Sequence, residues 1–393
     1  MKKILFLPLL KMQSGHHQVA EALMDIINKE TNDIILKKVD LLSYTNESFE
    51  KMVTGSYLKW IRFAPESYNL VYQKFFYGQP SREPSYKWFQ AIFLKKMEQL
   101  LLEFRPDLII CTHGFPSHLL SQLKMSGKCH TPIINVYTDF FVNRFWGKEG
   151  IDFHFVPSMQ IKDKLIREEK IPPYKVLVTG IPVHEEITRN SPQSLHFNRL
   201  KVLISGGSSG LGGIQKLAAN LKSSVGVDYL VLCGKNEHLY KEIESWNLNH
   251  IIALPYLSSR SAMNKIYDKV DAIVTKPGGV TVSEALRKRL PIFVHSALPG
   301  QEEINLQYLK KQGLISLLST KKSMEDQISS VLRNPKKMDR LNHAIDTYHD
   351  GIEIHDGKNM VDFIEWILYQ KQTWKLERTL SRDWVWGYMS EIW

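Results

Sequence analysis

The feature that most constrains this chain of 393 residues is a strand–loop–helix alternation that runs through its first half and then starts again. Short apolar runs occupy residues 3–10, 33–42, 107–114, 132–140, 151–158 and 175–182, each set off by a helical stretch or a Pro/Gly break. Runs of this kind suit strands buried on both faces by crossover helices, so a parallel sheet is expected. In the first helical stretch Val19, Leu23, Ile26 and Ile27 fall on one face. A polar segment at 184–199 interrupts the alternation, which restarts at 201–207, 227–234, 250–257, 271–279, 291–296 and 314–320. Two doubly wound α/β units of Rossmann type are expected, facing across a cleft at the carboxyl ends of their strands. Their expected bounds are 1–183 and 200–357, with 184–199 as linker and 358–393 as a last helix (about 358–372) and tail.

Charge and cysteine content remove several function classes. Lys+Arg number 51 against 41 Asp+Glu, a net charge of +10 that favours an anionic partner. No RNP sequence, zinc-finger spacing or basic zipper accompanies it, so nucleic acid is not expected. Cys111, Cys129 and Cys233 show no Cys-x-x-Cys spacing, which excludes a disulfide scaffold and a zinc knuckle. The opening MKKILFLPLL resembles a signal peptide but lacks a small-residue cleavage site. No apolar stretch reaches the ~18 residues of a membrane span, so a cytoplasmic protein is expected.

Between Tyr57 and Lys96 lie twelve aromatic residues and seven Lys/Arg but only two acids. Trp60, Phe63, Phe75 and Phe76 stand among Lys59, Arg62 and Lys74 in an insert spanning about 50–100. Rings at headgroup depth beside basic side chains suit an anionic membrane surface. A helical layer with an aromatic core and solvated lysines has the same composition, and both readings stand. The tail repeats the flavour with Trp374, Trp384, Trp386, Tyr388 and Trp393, which could meet lipid or pack on the first unit.

The sharpest motif is TKPGGVTVSEALRKRLP at 275–291. It leaves a strand, turns through Gly278 and Gly279, and enters a helix with Thr281 and Ser283 in its first turn. Free N–H groups and the helix dipole favour phosphate there, and Lys276 adds a full charge. Glu284, about one turn in, is placed to accept hydroxyl hydrogen bonds from a ribose. An ordinary strand-to-helix turn shares the two glycines; Lys276 and Glu284 set this one apart. LPGQEEIN at 298–305 supplies Gln301, Glu302, Glu303 and Asn305 for sugar hydroxyls, although an acidic helix start looks similar.

The loop SGGSSGLGG at 205–213, with Gly206, could rest a phosphate on its amides or be a plain flexible turn. In the first unit Gly15 and His16 open the first helix, where a histidine of ordinary pKa ~6.5 can serve as general base. His17 is expected to point to solvent. Asp139 ends a central strand at the same rim, and His113 is a third rim candidate that also fits a structural role. No Asp-x-Asp occurs, so a metal-bridged diphosphate has no obvious ligands and no metal is expected.

Taken together, Gly15-His16, T-D-F at 138–140, G-I-P-V at 180–183, T-K-P-G-G-x-T-x-x-E-A and P-G-Q-E-x-x-N resemble glycosyltransferase family 28. Within that family the motifs are similar to those of diacylglycerol glucosyltransferases and monogalactosyldiacylglycerol synthases. The resemblance spans about residues 1–350. It implies a GT-B fold and an inverting, metal-independent transfer of a hexose from a UDP-sugar to a lipid acceptor such as diacylglycerol, at the inner face of the membrane. By position, Gly278, Gly279 and Thr281 would meet the diphosphate, Glu284 the ribose, and Gln301 and Glu302 the sugar, with His16 and Asp139 on the acceptor side. The family loop usually reads G-x-G-H, whereas this chain has Gln13-Ser14-Gly15-His16. Two other classes remain open: an isomerase like UDP-N-acetylglucosamine 2-epimerase, and a non-catalytic UDP-sugar-binding protein at the membrane. Products separate the three.

Overall fold

The computed structural model describes residues 1–9, 14–45, 87–188, 199–206, 217, 221–298 and 300–369. The insert carrying Trp60, Phe63, Phe75 and Phe76, the loop residue Gln13 and the tail beyond 369 lie outside the described residues. A strand forms in each of the twelve apolar runs.

The first half contains β1 (Lys2–Leu7), α1 (Gly15–Glu30), β2 (Ile34–Lys38), the short α2 (Leu41–Thr45), α3 (Lys87–Phe104) and β3 (Leu108–Cys111). It continues through α4 (Gly114–Met125), β4 (Ile133–Val136), β5 (Phe153–Val156), α5 (Met159–Arg167) and β6 (Val176–Val178). The second half contains β7 (Leu200–Ser205), β8 (Val227–Leu232), α6 (Glu237–Ser245), β9 (Ile251–Leu254), α7 (Arg260–Tyr267) and β10 (Ala272–Thr275). Then come α8 (Gly279–Arg287), β11 (Ile292–Val294), α9 (Gln301–Lys311), β12 (Ser316–Leu317), α10 (Met324–Leu332), α11 (Pro335–Asp350) and α12 (Gly357–Tyr369).

The strands form two sheets, ordered β2-β1-β3-β4-β5-β6 and β12-β11-β10-β7-β8-β9, with every pair parallel. Strand order reverses between β1 and β3 in the first sheet, and between β7 and β10 in the second. Loops that leave neighbouring strands there part in opposite directions and open a crevice. The loops before α1, after β7 and before α8 all belong to these two reversal points.

The same device sets the register at both reversals. Asp107 accepts from the Lys3 amide at 3.0 Å and returns its own N–H to the Lys3 carbonyl at 2.8 Å. Asp271 does the same with Lys201, at 2.7 Å in each direction. Each carboxylate thereby satisfies an amide at the amino end of a strand, where the sheet ladder has run out.

Side chains of β1 alternate between two cores, Ile4 and Phe6 on one side and Leu5 and Leu7 on the other. The cluster containing Ile4 and Phe6 also takes in Ile273, Val280 and Val282 of the second half and Ile345 and Ile364 of α11 and α12. The two halves therefore share one apolar core. The chain also returns to its first half at the end: Glu353 accepts from the Val178 amide at 2.8 Å, and the Phe363 ring meets Phe153 edge-on at 5.1 Å. His17, expected to face solvent, is only 6% exposed. Both α8 and α12 pack on α1, which leaves that helix little free face.

Candidate active site

Helix starts divide into two groups. Those of α4, α6, α7, α10 and α11 are capped by side chains: His113, Asn236, Ser259, Ser323 and Asn334 each accept from an amide in the first turn. The starts of α1, α5, α8 and α9, on Ser14, Ser158, Gly278 and Gly300, have no side-chain cap. An uncapped start keeps unpaired N–H groups and the positive end of the helix dipole available to an anion.

Three of these starts converge. A Cβ on Gly15 would lie 3.3 Å from Val280 Cγ2, so α1 begins against the first turn of α8. A Cβ on Gly279 would lie 1.9 Å from the Thr138 carbonyl oxygen, a distance no side chain tolerates, so only glycine permits this approach. From α9, Asn305 reaches the same segment: its Nδ2 donates to Asp139 Oδ1 and its Oδ1 accepts from the Phe140 amide, both at 2.9 Å. Gly300 before α9 has φ 94°, a left-handed value that glycine adopts without strain. Thus His16, Asp139, Gly278, Gly279 and the start of α9 come together where the halves meet.

The His16 tautomer follows from its partners. Nδ1 lies 2.8 Å from the Thr112 carbonyl oxygen, which can only accept, so Nδ1 carries the proton and Nε2 the lone pair. Thr138 Oγ1, also 2.8 Å from Nδ1, shares that hydrogen, and Thr112 Oγ1 donates to the His16 carbonyl at 2.9 Å. Burial pushes the imidazole down to about 4, so it is neutral at physiological pH. His113 accepts from the Phe115 amide at 3.0 Å as the cap of α4 and meets the His16 ring edge-on at 4.6 Å. It therefore holds the start of α4 and lies against the His16 ring. Burial pushes Asp139 up to about 6, with the Asn305 hydrogen bond opposing.

On the donor side, Lys276 Nζ lies 3.7 Å from Glu302 Oε1, and Glu302 Oε2 accepts from the Leu298 amide at 2.7 Å. That pairing holds the turn into α9 and places the lysine beside it. Gln301 is half-buried at the first position of α9, Thr281 half-buried in α8, and Gly206 buried at the end of β7. Asn305, grouped in the sequence with sugar-binding residues, instead spends both ends of its amide on residues 139–140. Its partners sit about 165 positions away, so no local signal could name them. His295, just past β11, belongs to no sequence motif: its buried Nε2 has no hydrogen-bond partner among the described residues, and burial, then Lys276, push it down to about 4.

Glu284 stands apart from this group. It is 7% exposed and its Oε2 accepts from the buried Tyr267 hydroxyl at 2.8 Å. Burial raises its pKa, against the opposing Tyr267 bond. Oε1 takes no hydrogen bond from a described residue, so one oxygen is available to a ribose hydroxyl and the other is engaged. Glu284→Ala is expected to cost about 1–3 kcal/mol in stability because it orphans the Tyr267 hydroxyl. Tyr267→Phe removes that hydroxyl without touching the carboxylate. If nucleotide affinity in an equilibrium titration falls with Glu284→Ala and holds with Tyr267→Phe, the ribose contact stands; equal losses would make the pair purely structural.

Comparison with known proteins adds three findings. Residues 16–183 match the profile of the monogalactosyldiacylglycerol (MGDG) synthase family, and residues 208–347 that of glycosyl transferases group 1. The chain is 38% identical over 369 residues to the uncharacterized glycosyltransferase YkoN of Bacillus subtilis, covering 93% of this chain and 98% of that one. It is 26% identical to a processive diacylglycerol beta-glucosyltransferase of Bacillus cereus, over 84% of this chain and 86% of that protein. Among solved structures, MurG of Acinetobacter baumannii superposes with a TM-score of 0.58 at 14% identity, covering 93% of this chain and 99% of that one. That likeness concerns the fold, which is GT-B.

Proposed function

The chain belongs to glycosyltransferase family 28, among relatives of the diacylglycerol glucosyltransferases and monogalactosyldiacylglycerol synthases, and on that premise we propose that it moves a hexose from a UDP-sugar to a lipid hydroxyl. The acceptor class is diacylglycerol or a similar neutral lipid, and transfer inverts the anomeric carbon without a metal or cofactor. The observation that carries the reading is the meeting of the α1 and α8 starts around a neutral His16 whose Nε2 keeps its lone pair.

In this mechanism the diphosphate lies on the amides of Gly278, Gly279 and Thr281, with Lys276 beside it and Glu284 on the ribose. Gln301 and Glu302 hold the sugar hydroxyls. The acceptor oxygen attacks the anomeric carbon, the bond from that carbon to the diphosphate breaks, and UDP leaves with the bonding pair. The acceptor proton passes to His16 Nε2 or to Asp139. The arriving diphosphate raises the proton affinity of His16 above its value in the empty site. Lys276 and the helix start supply the positive potential that the departing charge needs. The aromatic and basic insert with Trp60, Phe63, Phe75 and Phe76 seats the first half on an anionic membrane face.

Asp139 makes the pH dependence informative. Its carboxylate fraction rises as pH climbs through about 6, whereas His16 has already lost its proton well below that. The acid limb of kcat/KM is expected near pH 6 and to disappear, at a lower plateau, in Asp139→Asn. A limb near pH 4 in both proteins would remove Asp139 from the reaction. The overall test is product analysis: the protein is incubated with labelled UDP-glucose or UDP-galactose and membrane lipid. Labelled glycolipid plus UDP supports transfer; epimerised free nucleotide sugar, or binding with no product on any acceptor, overturns it.

A further inference from the structure

Three consecutive residues beyond β4, Thr138, Asp139 and Phe140, are each met by the second half of the chain. The Thr138 carbonyl oxygen lies where a Cβ on Gly279 would stand 1.9 Å from it. The Phe140 ring stacks on Tyr308 of α9, with centroids 5.5 Å apart, and meets Tyr348 of α11 edge-on at 6.3 Å. Between these contacts sits Asn305, 1% exposed, on the Asp139 carboxylate and the Phe140 amide.

The partners fix which way the Asn305 amide points. The Phe140 N–H can only donate, so the atom facing it at 2.9 Å is Oδ1. The other end is then Nδ2, which donates to Asp139 Oδ1 at 2.9 Å. Asp139 accepts from no other described residue, so Oδ2 is left to a ligand. The carboxylate read above as a proton acceptor is thus held by a side chain of the opposite half. Asn305 also lies four residues after Gln301 and three after Glu302, on the same face of α9. One helix therefore carries both the groups assigned to the donor sugar and the group that holds Asp139. The other charged or titratable groups at this edge are Glu302 and Lys276 from the second half, and His16, bonded to Thr138, from the first.

Resting on the transfer reading above, we propose that Asn305 is a positioning residue: through it α9 holds the Asp139 carboxylate of the other half, so that Oδ2 is set for the acceptor hydroxyl only while the halves are clasped. The test is a cycle of Asn305→Asp, Asp139→Asn and the two combined, followed by thermal unfolding at pH 5 and pH 8 and by transfer rate. Asn305→Asp keeps an oxygen for the Phe140 amide but sets a second carboxylate against Asp139, and two like charges at that spacing resist ionising together. It should melt at least about 3 °C below the parent at pH 8. The facing pair binds a proton more tightly when folded than when unfolded, so stability falls as pH rises and the loss should be halved or less at pH 5. Asp139→Asn still offers an acceptor to Asn305 Nδ2, and in the double variant the new amide donates to the new carboxylate. Both should melt within about 1 °C of the parent.

In transfer, kcat/KM of Asn305→Asp should reach its plateau at least about one pH unit above the parent, because the second carboxylate delays ionisation of Asp139. UDP affinity should hold within about twofold, since the diphosphate amides lie on α8. The double variant, stable but with its carboxylate on the wrong half, should stay as slow as Asp139→Asn. A melting loss equal at both pH values, or one that the double variant keeps, makes Asn305 a packing residue and overturns the proposal. An acid limb unmoved in Asn305→Asp overturns it as well. A parent that forms no glycosylated product on any acceptor overturns the transfer reading and the positioning role with it, while the unfolding cycle still decides whether Asn305 holds Asp139.

Discussion

Replacing His16 with asparagine is expected to slow sugar transfer about 10²–10⁴-fold, the range associated with a positioned general base. Asparagine is the informative choice because its amide N–H can stand where Nδ1–H stands, donating to the Thr112 carbonyl and shared by Thr138 Oγ1. What it lacks is any atom in the place of Nε2. His16→Ala should lose transfer to the same degree and also lose stability, because the Thr112 carbonyl is left without its partner, a cost of about 1–3 kcal/mol. Nucleotide affinity should change little in either protein, since the donor groups sit on α8 and α9. Turnover by His16→Asn within tenfold of the parent would show that the proton leaves by another route, with Asp139 as the remaining candidate.

The second large effect concerns the two adjacent glycines, which look equivalent in the sequence and are not. A methyl group on Gly279 would lie 1.9 Å from the Thr138 carbonyl oxygen and 3.0 Å from Ile181 Cδ1. The first of these is backbone and cannot swing away, so Gly279→Ala must push α8 from the 138–140 segment. Overpacking of this kind costs about 1–3 kcal/mol. It also displaces the helix start from His16 and Asp139, so transfer is expected to drop with stability. Gly278→Ala meets nothing within 4 Å and should unfold like the parent. Urea unfolding of the pair, with transfer rates alongside, checks the contrast. If Gly279→Ala proved as stable and active as the parent, the close approach of the halves would not be the working arrangement.

The identity of the strands and helices was legible in the sequence because burial on both faces writes itself into each segment. Apolar runs such as DLIIC and DAIVT need no knowledge of their neighbours to be read as central strands. The same holds for the loops that carry Gly15, Gly206 and Gly278: a loop that follows a strand in a parallel sheet is bound to emerge at the carboxyl edge. Even the Asp107 and Asp271 clamps repeat at the same place in each half, a pattern present in the chain and visible once the two halves are aligned.

Only the tertiary structure decided which polar groups meet at that edge. Asn305 serves Asp139 and Phe140 from the other half, His17 is buried, and Glu284 gives one oxygen to Tyr267. Each of these outcomes depends on how one half is turned against the other. That orientation is set by the apolar core shared across β1, α1, α8, α11 and α12, and by the closing helices returning to the first half. Periodicity is a property of ten residues and can be read from ten residues. A contact spanning more than a hundred positions is fixed by the packing of whole units, and no local pattern encodes it.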